Sequence, residues 1–258
     1  MGAGTIDARR WADELADAER GRRTVAMITT REPGFGLAHA YDVQHLNVER
    51  RIAAGDVPLG FKLGLTSRAK QEAMGVAEPL WGRLTAGMVH EEGEPLELAA
   101  LVHPRVESEI AFLVGRDIDG PTATVASVLA ATEGVLPALE ILDSRFDDFK
   151  FALPDVVADN ASAARIVLGG RLLPPHAADW QLEGMVLRDA GEVVHTAAGA
   201  AVSGHPAAAV AWLARAVGGL PAGAIVLSGG LTAPIPLRPG AAVTAEFTNL
   251  TRVTVRCA

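Results

Sequence analysis

The second half of the chain is a succession of short strand-like segments with few helical patterns between them. Alternating or continuous apolar runs of strand length occur at 106–114, 136–142, 164–168, 185–188, 192–196, 224–227, 242–247 and 253–256. Asp189-Ala190-Gly191 predicts a hairpin turn, and helical patterns interrupt at 122–133 and 206–217. Consecutive strands without connecting helices favour an α+β fold with a rolled or barrel-like mixed sheet over a doubly wound fold.

The first quarter of the chain has a different pattern, in which helices dominate. Apolar spacing and terminal glycines predict helices at 5–20, 37–54 and 67–75, and a strand at 60–65. We therefore expect an N-terminal, mainly helical portion over residues 1–75 and a β-roll catalytic domain over residues 76–258.

Composition excludes several classes of protein. The formal net charge of −8 gives no electrostatic support for binding nucleic acid. Cys257 is the single cysteine, so an intrachain disulfide framework is impossible. No signal-peptide pattern follows Met1, and no uncharged apolar run approaches the roughly 18 residues of a membrane span. We expect a cytoplasmic protein without a membrane or nucleic-acid partner.

Three carboxylates stand in apolar settings. Glu107 and Glu109 share one face of the predicted strand 106–114, because side chains two residues apart point the same way. Glu140 lies within the apolar run 136–142. Like charges in a poorly solvated place resist ionising together, and a hard divalent cation such as Mg²⁺ or Mn²⁺ removes that conflict. The alternative is that the i, i+2 pair simply faces solvent from a half-exposed strand.

Several motifs together resemble one enzyme family. They are Gly60-Phe61-Lys62-Leu63-Gly64-Leu65-Thr66-Ser67, Met74-Gly75-Val76 with Glu78-Pro79, His103-Pro104-Arg105-Val106-Glu107-Ser108-Glu109-Ile110-Ala111-Phe112, Leu139-Glu140 with Asp143-Ser144-Arg145, and Ala158-Asp159-Asn160-Ala161-Ser162. The chain resembles the hydratase and decarboxylase group of the fumarylacetoacetase superfamily, which serves the meta-cleavage degradation of aromatic compounds. The resemblance runs from the first helix to the last strand and implies a mixed β-roll with an N-terminal helical portion.

The resemblance implies an Mg²⁺- or Mn²⁺-dependent enzyme that acts on a small unsaturated 2-oxo acid. It assigns the metal to Glu107, Glu109 and Glu140, the carboxylates already singled out by their setting. It also places a catalytic lysine at Lys62, in a glycine-rich apolar strand. The alternative for Lys62 is a surface lysine whose stem covers apolar neighbours while its ammonium stays in water.

Two branches of the group differ in the residue after Glu78-Pro79. Hydratases of 2-hydroxypenta-2,4-dienoate typically have an Asp there, whereas this chain has Leu80. A leucine cannot transfer a proton, so the resemblance favours decarboxylation of 2-oxohex-3-enedioate (4-oxalocrotonate) to that dienoate and CO₂, with Leu80 facing the substrate. Hydration of the dienoate, or of a related 2-oxo acid, is the alternative.

Further substrate contacts are expected at Arg145, Asn160 and Ser162. Arg145 and the nearby Lys150 are candidates to bind the leaving carboxylate. The alternative for both is a structural ion pair with Asp143, Asp147 or Asp148. Asn160 and Ser162 are candidates for hydrogen bonds to substrate, although such residues in loops commonly serve turns.

The resemblance also implies partners. Enzymes of this group are expected to form homo-oligomers and to associate with the hydratase of their pathway. A non-catalytic role as a partner subunit is the alternative. The intact set of Glu107, Glu109, Glu140 and Lys62 argues against that role, because a dead subunit need not keep a costly cluster of carboxylates.

Overall fold

The structure, a computed structural model, describes residues 6–258. Thr5, where the first helix is predicted to begin, lies outside the described residues. The helices are α1 Ala8–Gly21, α2 Ile28–Arg31, α3 Leu37–Ala53, α4 Arg68–Met74, α5 Val125–Ala131, α6 Leu153–Ala158 and α7 Pro206–Val217. The strands are β1 Pro58–Gly64, β2 Leu80–Thr85, β3 Pro95–Leu96, β4 Arg105–Val114, β5 Ile118–Asp119, β6 Thr132–Leu142, β7 Ala163–Leu168, β8 Gly184–Asp189, β9 Glu192–Ala198, β10 Gly219–Leu220, β11 Ile225–Leu227, β12 Ile235–Pro236, β13 Ala242–Phe247 and β14 Thr251–Cys257.

Two sheets carry the β-roll. The larger has the order β2-β1-β11-β4-β6-β7, with β12 paired to β4, and the smaller has the order β3-β14-β13-β8-β9. The larger sheet is mixed, because β1 runs parallel to β11 while its other pairs are antiparallel. The predicted α+β fold with a mixed sheet is therefore confirmed. The division at residue 75 stays a prediction, and β1, which precedes it, pairs with β11 near the other end of the chain.

The main core lies between the two sheets and under α7. Side chains from both sheets and that helix form one buried cluster, with Ile110, Leu139, Leu213, Ala245 and Val253 among its members. Period-two burial along β13, where alternate residues are buried, is what a strand with one face on a core requires. This packing fixes β4 and β6 firmly in the centre of the molecule.

The N-terminal helices form a second core against the edge of the larger sheet. Trp11 of α1, Phe35, and Val157 of α6 are buried together with Leu80 of β2 and Phe146. The side chain of Asp7 caps α1 by accepting a hydrogen bond from the backbone N–H of Arg9. Since Leu80 belongs to this helical layer and also begins β2, the layer reaches the cavity described below.

Most predicted elements are present, with informative differences at their ends. The hairpin turn has Ala190 and Gly191 at φ +50° and +89°, as a two-residue turn between antiparallel strands requires. The helix predicted over 122–133 is shorter, because Thr124 caps it and Thr132 already pairs with Val114 in the sheet. Across residues 6–258, no helix combines the length and apolar character needed to cross a bilayer.

Candidate metal centre and cavity

The pairing of β4 with β6 brings the three acidic residues together. Glu107 lies directly opposite Glu140 in the antiparallel register, and Glu109 is two residues further along the same face of β4. One carboxylate oxygen from each residue lies within 4.8 Å of the others. Glu109 and Glu140 have no exposed surface, and Glu107 is 7% exposed. The cluster is therefore a compact set of buried hard-oxygen ligands.

The electrostatics of this cluster fit a bound cation. Burial and the negative charge of Glu140 hold the pKa of Glu109 well above its usual value. Burial also raises the pKa of Glu140, although Lys62 opposes the shift. Among the described residues, Glu109 Oε1 and Glu140 Oε2 have no hydrogen-bond donor, and Glu140 Oε1 has only its ion pair with Lys62. Buried carboxylate oxygens without donors are costly unless a cation binds them, so the residues present fit a divalent metal ion.

Lys62 is buried beside the cluster, in the strand that runs parallel to β11. It is 3% exposed, and its Nζ lies 3.0 Å from Glu140 Oε1. The ammonium also donates a hydrogen bond to the backbone oxygen of Ala161, at 3.0 Å. An ammonium carries three donors, so one remains for a ligand in the cavity that Lys62 lines. The buried position excludes the alternative of a surface lysine.

Sequence reasoning missed Lys70, which contacts the cluster from α4. Its Nζ lies 2.8 Å from Glu107 Oε1 and donates to the backbone oxygen of Gly230 at 3.2 Å. The signal was present, because the Ser67 cap sets the start of α4 and hence the direction of Lys70. Lys70 therefore holds the most exposed of the three carboxylates at the cavity wall.

Gly229 and Gly230 lie against the carboxylate cluster. The backbone N–H of Gly229 donates to Glu109 Oε2 at 2.6 Å. A Cβ at Gly230 would lie 2.2 Å from Glu107 Oε2, so only glycine lets this backbone approach so closely. The two glycines thus shape the position of two carboxylates.

A cavity of about 500 Å³ opens beside the cluster. Its wall is mostly apolar, with a few charged and polar groups among the apolar ones, a composition typical of small-molecule sites. The residues of the wall that matter for the chemistry are Lys62, Lys70, Leu80, Arg105, Glu107 and Ser162. The cavity therefore connects the carboxylate cluster, through Glu107, to a space large enough for a small organic acid.

Leu80 and Ser162 both reach this wall. Leu80 is 3% exposed and pairs with Gly64, which leaves room for the leucine side chain. The Ser162 hydroxyl is buried and has no hydrogen-bond partner among residues 6–258. Its backbone is left-handed, with φ +58°. Ser162 is thus free to hydrogen bond a ligand.

Arg145 and Asn160, of which substrate contacts are expected, are not among the residues of the cavity wall. The Arg145 guanidinium is 5% exposed and paired with Asp159, whose backbone oxygen also accepts from it at 2.8 Å. Arg145 thus forms a structural ion pair, as in the alternative interpretation, but with Asp159 rather than with Asp143, Asp147 or Asp148. Burial outweighs this pairing and raises the pKa of Asp159 to about 6.

Asn160 has its side chain committed to β2. Its Oδ1 accepts from the backbone N–H of Arg83 at 2.8 Å, and its Nδ2 donates to the Arg83 oxygen at 2.9 Å. These hydrogen bonds and the left-handed backbone of Asn160, at φ +50°, fit the structural alternative, and its substrate contact stays a prediction. Lys150 lines the cavity mouth and pairs with Asp148 at 3.2 Å, as its alternative interpretation predicted.

Comparisons with known proteins agree on the fold and bear on the chemistry. Residues 69–258 match the family described as fumarylacetoacetate (FAA) hydrolase C-terminal. The chain is 39% identical over 249 residues to a 4-oxalocrotonate decarboxylase of Pseudomonas sp. (strain CF600), covering 95% of this chain and 94% of that protein. It is 43% identical over 207 residues to a 2-hydroxypent-2,4-dienoate hydratase of Pseudomonas putida, and this match covers 80% of this chain and 93% of that protein.

A solved structure is similar over nearly the whole chain. The 4-oxalocrotonate decarboxylase from Pseudomonas putida G7, complexed with magnesium and adipate, superimposes with a TM-score of 0.94. It is 36% identical, and the match covers 98% of this chain and 99% of the other. Its fold, with N-terminal helices beside the β-roll, agrees with the predicted fold class in full.

Proposed function

This chain belongs to the fumarylacetoacetate hydrolase family, and on that premise we propose that it decarboxylates 2-oxohex-3-enedioate to 2-hydroxypenta-2,4-dienoate and CO₂ in a metal-dependent reaction. The observation that carries the proposal is Leu80, an apolar side chain in the wall of the cavity beside the carboxylate cluster. Overall similarity does not choose the reaction, because a decarboxylase and a hydratase match at 39% and 43% identity.

We assign a divalent cation, Mg²⁺ or Mn²⁺, to Glu107, Glu109 and Glu140. The assignment is supported by the unpartnered buried oxygens of this cluster and by the magnesium in the similar decarboxylase. When bound, the cation would supply Lewis-acid polarisation of the substrate's 2-oxo group.

The electrons of the breaking bond have a defined path. The C5–C6 bond breaks and its pair forms the C4=C5 double bond, the C3=C4 pair moves to C2=C3, and the C2=O pair moves onto oxygen. One proton then adds to that oxygen to give the enol, and C6 leaves as CO₂. We assign Lys62 to this oxygen, because its ammonium lies in the cavity wall beside Glu140 of the metal centre and its charge favours the growing negative charge.

Leu80 separates this reaction from hydration. Water addition needs groups that activate water and deliver a proton to carbon, and a leucine side chain supplies neither. Loss of CO₂ needs no general base at that position. The hydratase alternative rests on the 43% identity to the dienoate hydratase.

One assay separates the two. The purified protein with Mg²⁺ is given 2-oxohex-3-enedioate and 2-hydroxypenta-2,4-dienoate separately, and CO₂ release and loss of the dienoate absorbance are measured. We expect CO₂ from the diacid and slow or no hydration of the dienoate. Efficient hydration without CO₂ release would establish the hydratase alternative instead. That the protein forms a homo-oligomer and associates with a pathway hydratase stays a prediction, testable by light scattering of the protein alone and mixed with the hydratase.

A further inference from the structure

The cavity wall carries four cationic side chains, and three of them are already paired with carboxylates. The pairs are Lys62 with Glu140 at 3.0 Å, Lys70 with Glu107 at 2.8 Å, and Lys150 with Asp148 at 3.2 Å. The fourth is Arg105. Within residues 6–258, no carboxylate lies within ion-pair distance of its guanidinium. The cavity therefore contains one planar, permanently charged group that lacks an anion.

Arg105 stands on the same strand face as the carboxylate cluster. It precedes Glu107 by two residues in β4, and Glu109 follows at the same spacing. Two residues of a strand advance by about 6.6 Å, which is comparable to the length of a six-carbon chain. Arg105 pairs across the sheet with Leu142, another residue of the cavity wall. A ligand reaching from the cluster along β4 therefore meets the Arg105 guanidinium.

Phe149 holds that guanidinium in place. The Arg105 Cζ lies 4.1 Å from the centroid of the Phe149 ring, a close cation–π contact. The ring is supported in turn by His103, at 4.9 Å between ring centroids. Asp148 and Phe149 both have left-handed backbones, at φ +57° and +60°, a conformation that non-glycine residues keep only where their surroundings impose it. The segment is thus built to present Phe149 to the cavity.

We infer that Arg105, oriented by Phe149, binds the distal carboxylate of a dicarboxylate ligand and makes this cavity selective for diacids over monoacids. The inference rests on the proposed function for the other end of the ligand, which would lie at the carboxylate cluster. A guanidinium forms two parallel hydrogen bonds with a carboxylate, a geometry that fixes orientation as well as distance. Arg145, the arginine first expected in this role, is committed to Asp159 and lies outside the wall.

The position of Arg105 has a kinetic consequence. During decarboxylation the distal carboxylate loses its charge as it becomes CO₂, so its ion pair with Arg105 weakens toward the transition state. An interaction that is stronger in the ground state than in the transition state lowers KM without raising kcat. Arg105 is therefore a binding and specificity residue, and its loss should appear chiefly in KM.

The test compares two ligands that differ by one carboxylate. Adipate and hexanoate are titrated by calorimetry into the Mg²⁺-loaded protein, as wild type, Arg105→Gln and Arg105→Lys. We expect wild type to bind adipate about 10- to 100-fold more tightly than hexanoate, the range for a charge-assisted pair. Arg105→Gln should remove that preference while leaving hexanoate affinity unchanged, and Arg105→Lys should restore part of it. Arg188→Gln is the matched control, because Arg188 pairs with Glu246 in the smaller sheet, outside the cavity wall.

The outcomes separate this inference from the proposed function. If wild type shows no preference for adipate, or if Arg105→Gln keeps the preference, the inference is wrong whatever reaction the protein performs. If the preference exists and depends on Arg105 but the protein releases no CO₂ from the diacid, the dicarboxylate site stands and the proposed reaction fails. With an active enzyme, Arg105→Gln should raise KM for the diacid about 10- to 100-fold without lowering kcat.

Discussion

Replacing Gly230 with alanine should weaken cation binding at the candidate metal centre without unfolding the protein. A Cβ at this position would lie 2.2 Å from Glu107 Oε2 and 2.4 Å from its carboxylate carbon. Real Cβ contacts are essentially never below 3.0 Å, so the carboxylate must move by about 0.8 Å. Functional groups tolerate displacements of only about 0.5 Å, and metal–ligand distances about 0.2 Å.

The structure also indicates that this shift costs little stability. The clashing atoms are the end of a flexible side chain rather than backbone, and φ at Gly230 is not in the left-handed region. The expected result is a Kd for Mg²⁺ or Mn²⁺ raised about 10- to 100-fold, comparable to changes that misplace a metal ligand through its neighbours. The Tm of the metal-free protein should change little.

Calorimetric titration of Mn²⁺ into metal-free protein gives the Kd, and thermal unfolding gives the Tm. Gly170→Ala is the matched control, because a Cβ there meets no atom within 4 Å and no left-handed backbone is involved. Wild-type affinity of Gly230→Ala for the cation would refute the reasoning. It would mean that Glu107 is not a ligand, or that the close approach of Gly230 does not position Glu107.

The site makes four further predictions. Glu109→Gln should weaken metal binding more than about 100-fold, a larger loss than is usual when a residue that only positions a ligand is replaced. It should nevertheless raise the Tm of the metal-free protein, because it removes a carboxyl group whose pKa is held high by burial and by Glu140. Because of the same raised pKa, the folded metal-free protein keeps a proton on Glu109 at pH values where the unfolded chain has already released it. Wild-type stability should therefore fall as pH rises through the raised pKa, while the stabilisation by bound metal grows. Tm measured across pH with and without Mg²⁺ checks both trends. Lys62→Ala should lower kcat about 10²- to 10⁴-fold with little change in metal affinity, and wild-type turnover would remove Lys62 from the mechanism. Leu80→Asp should lower kcat/KM for the diacid by about tenfold or more, because a like charge then faces the departing carboxylate; an unchanged value would show that Leu80 does not face it.

The parts of the fold that follow local rules could be predicted from the sequence. Strand-like apolar runs in the sequence predicted β4 and β13, and the turn residues at 189–191 predicted the hairpin. The strand β2 was missed, because Trp81-Gly82-Arg83 has no simple alternation and gains its pairing from β1. A strand specified by its neighbour carries little signal of its own.

The candidate site shows the same division. Glu107, Glu109 and Glu140 stood out because each carboxylate occupies an apolar setting within its own segment. The ion pairs Arg145–Asp159 and Lys70–Glu107 did not stand out, since the two residues of each pair lie on different elements. The role of Gly230 depends on the close approach of its backbone to Glu107, a residue distant in sequence, and no local pattern encodes that approach.

The pairing of β4 with β6 also has a consequence for the order of folding. Glu107, Glu109 and Glu140 all belong to these two strands, which are close in sequence, whereas Lys62 arrives through the pairing of β1 with β11, from the opposite end of the chain. Contacts between nearby segments form with less loop-closure entropy than distant ones. We expect the acidic cluster to assemble first, before Lys62 is in place. A one-residue slip of β4 on β6 would turn the carboxylates to opposite faces of the sheet, so a cation bound at this stage would disfavour that slip.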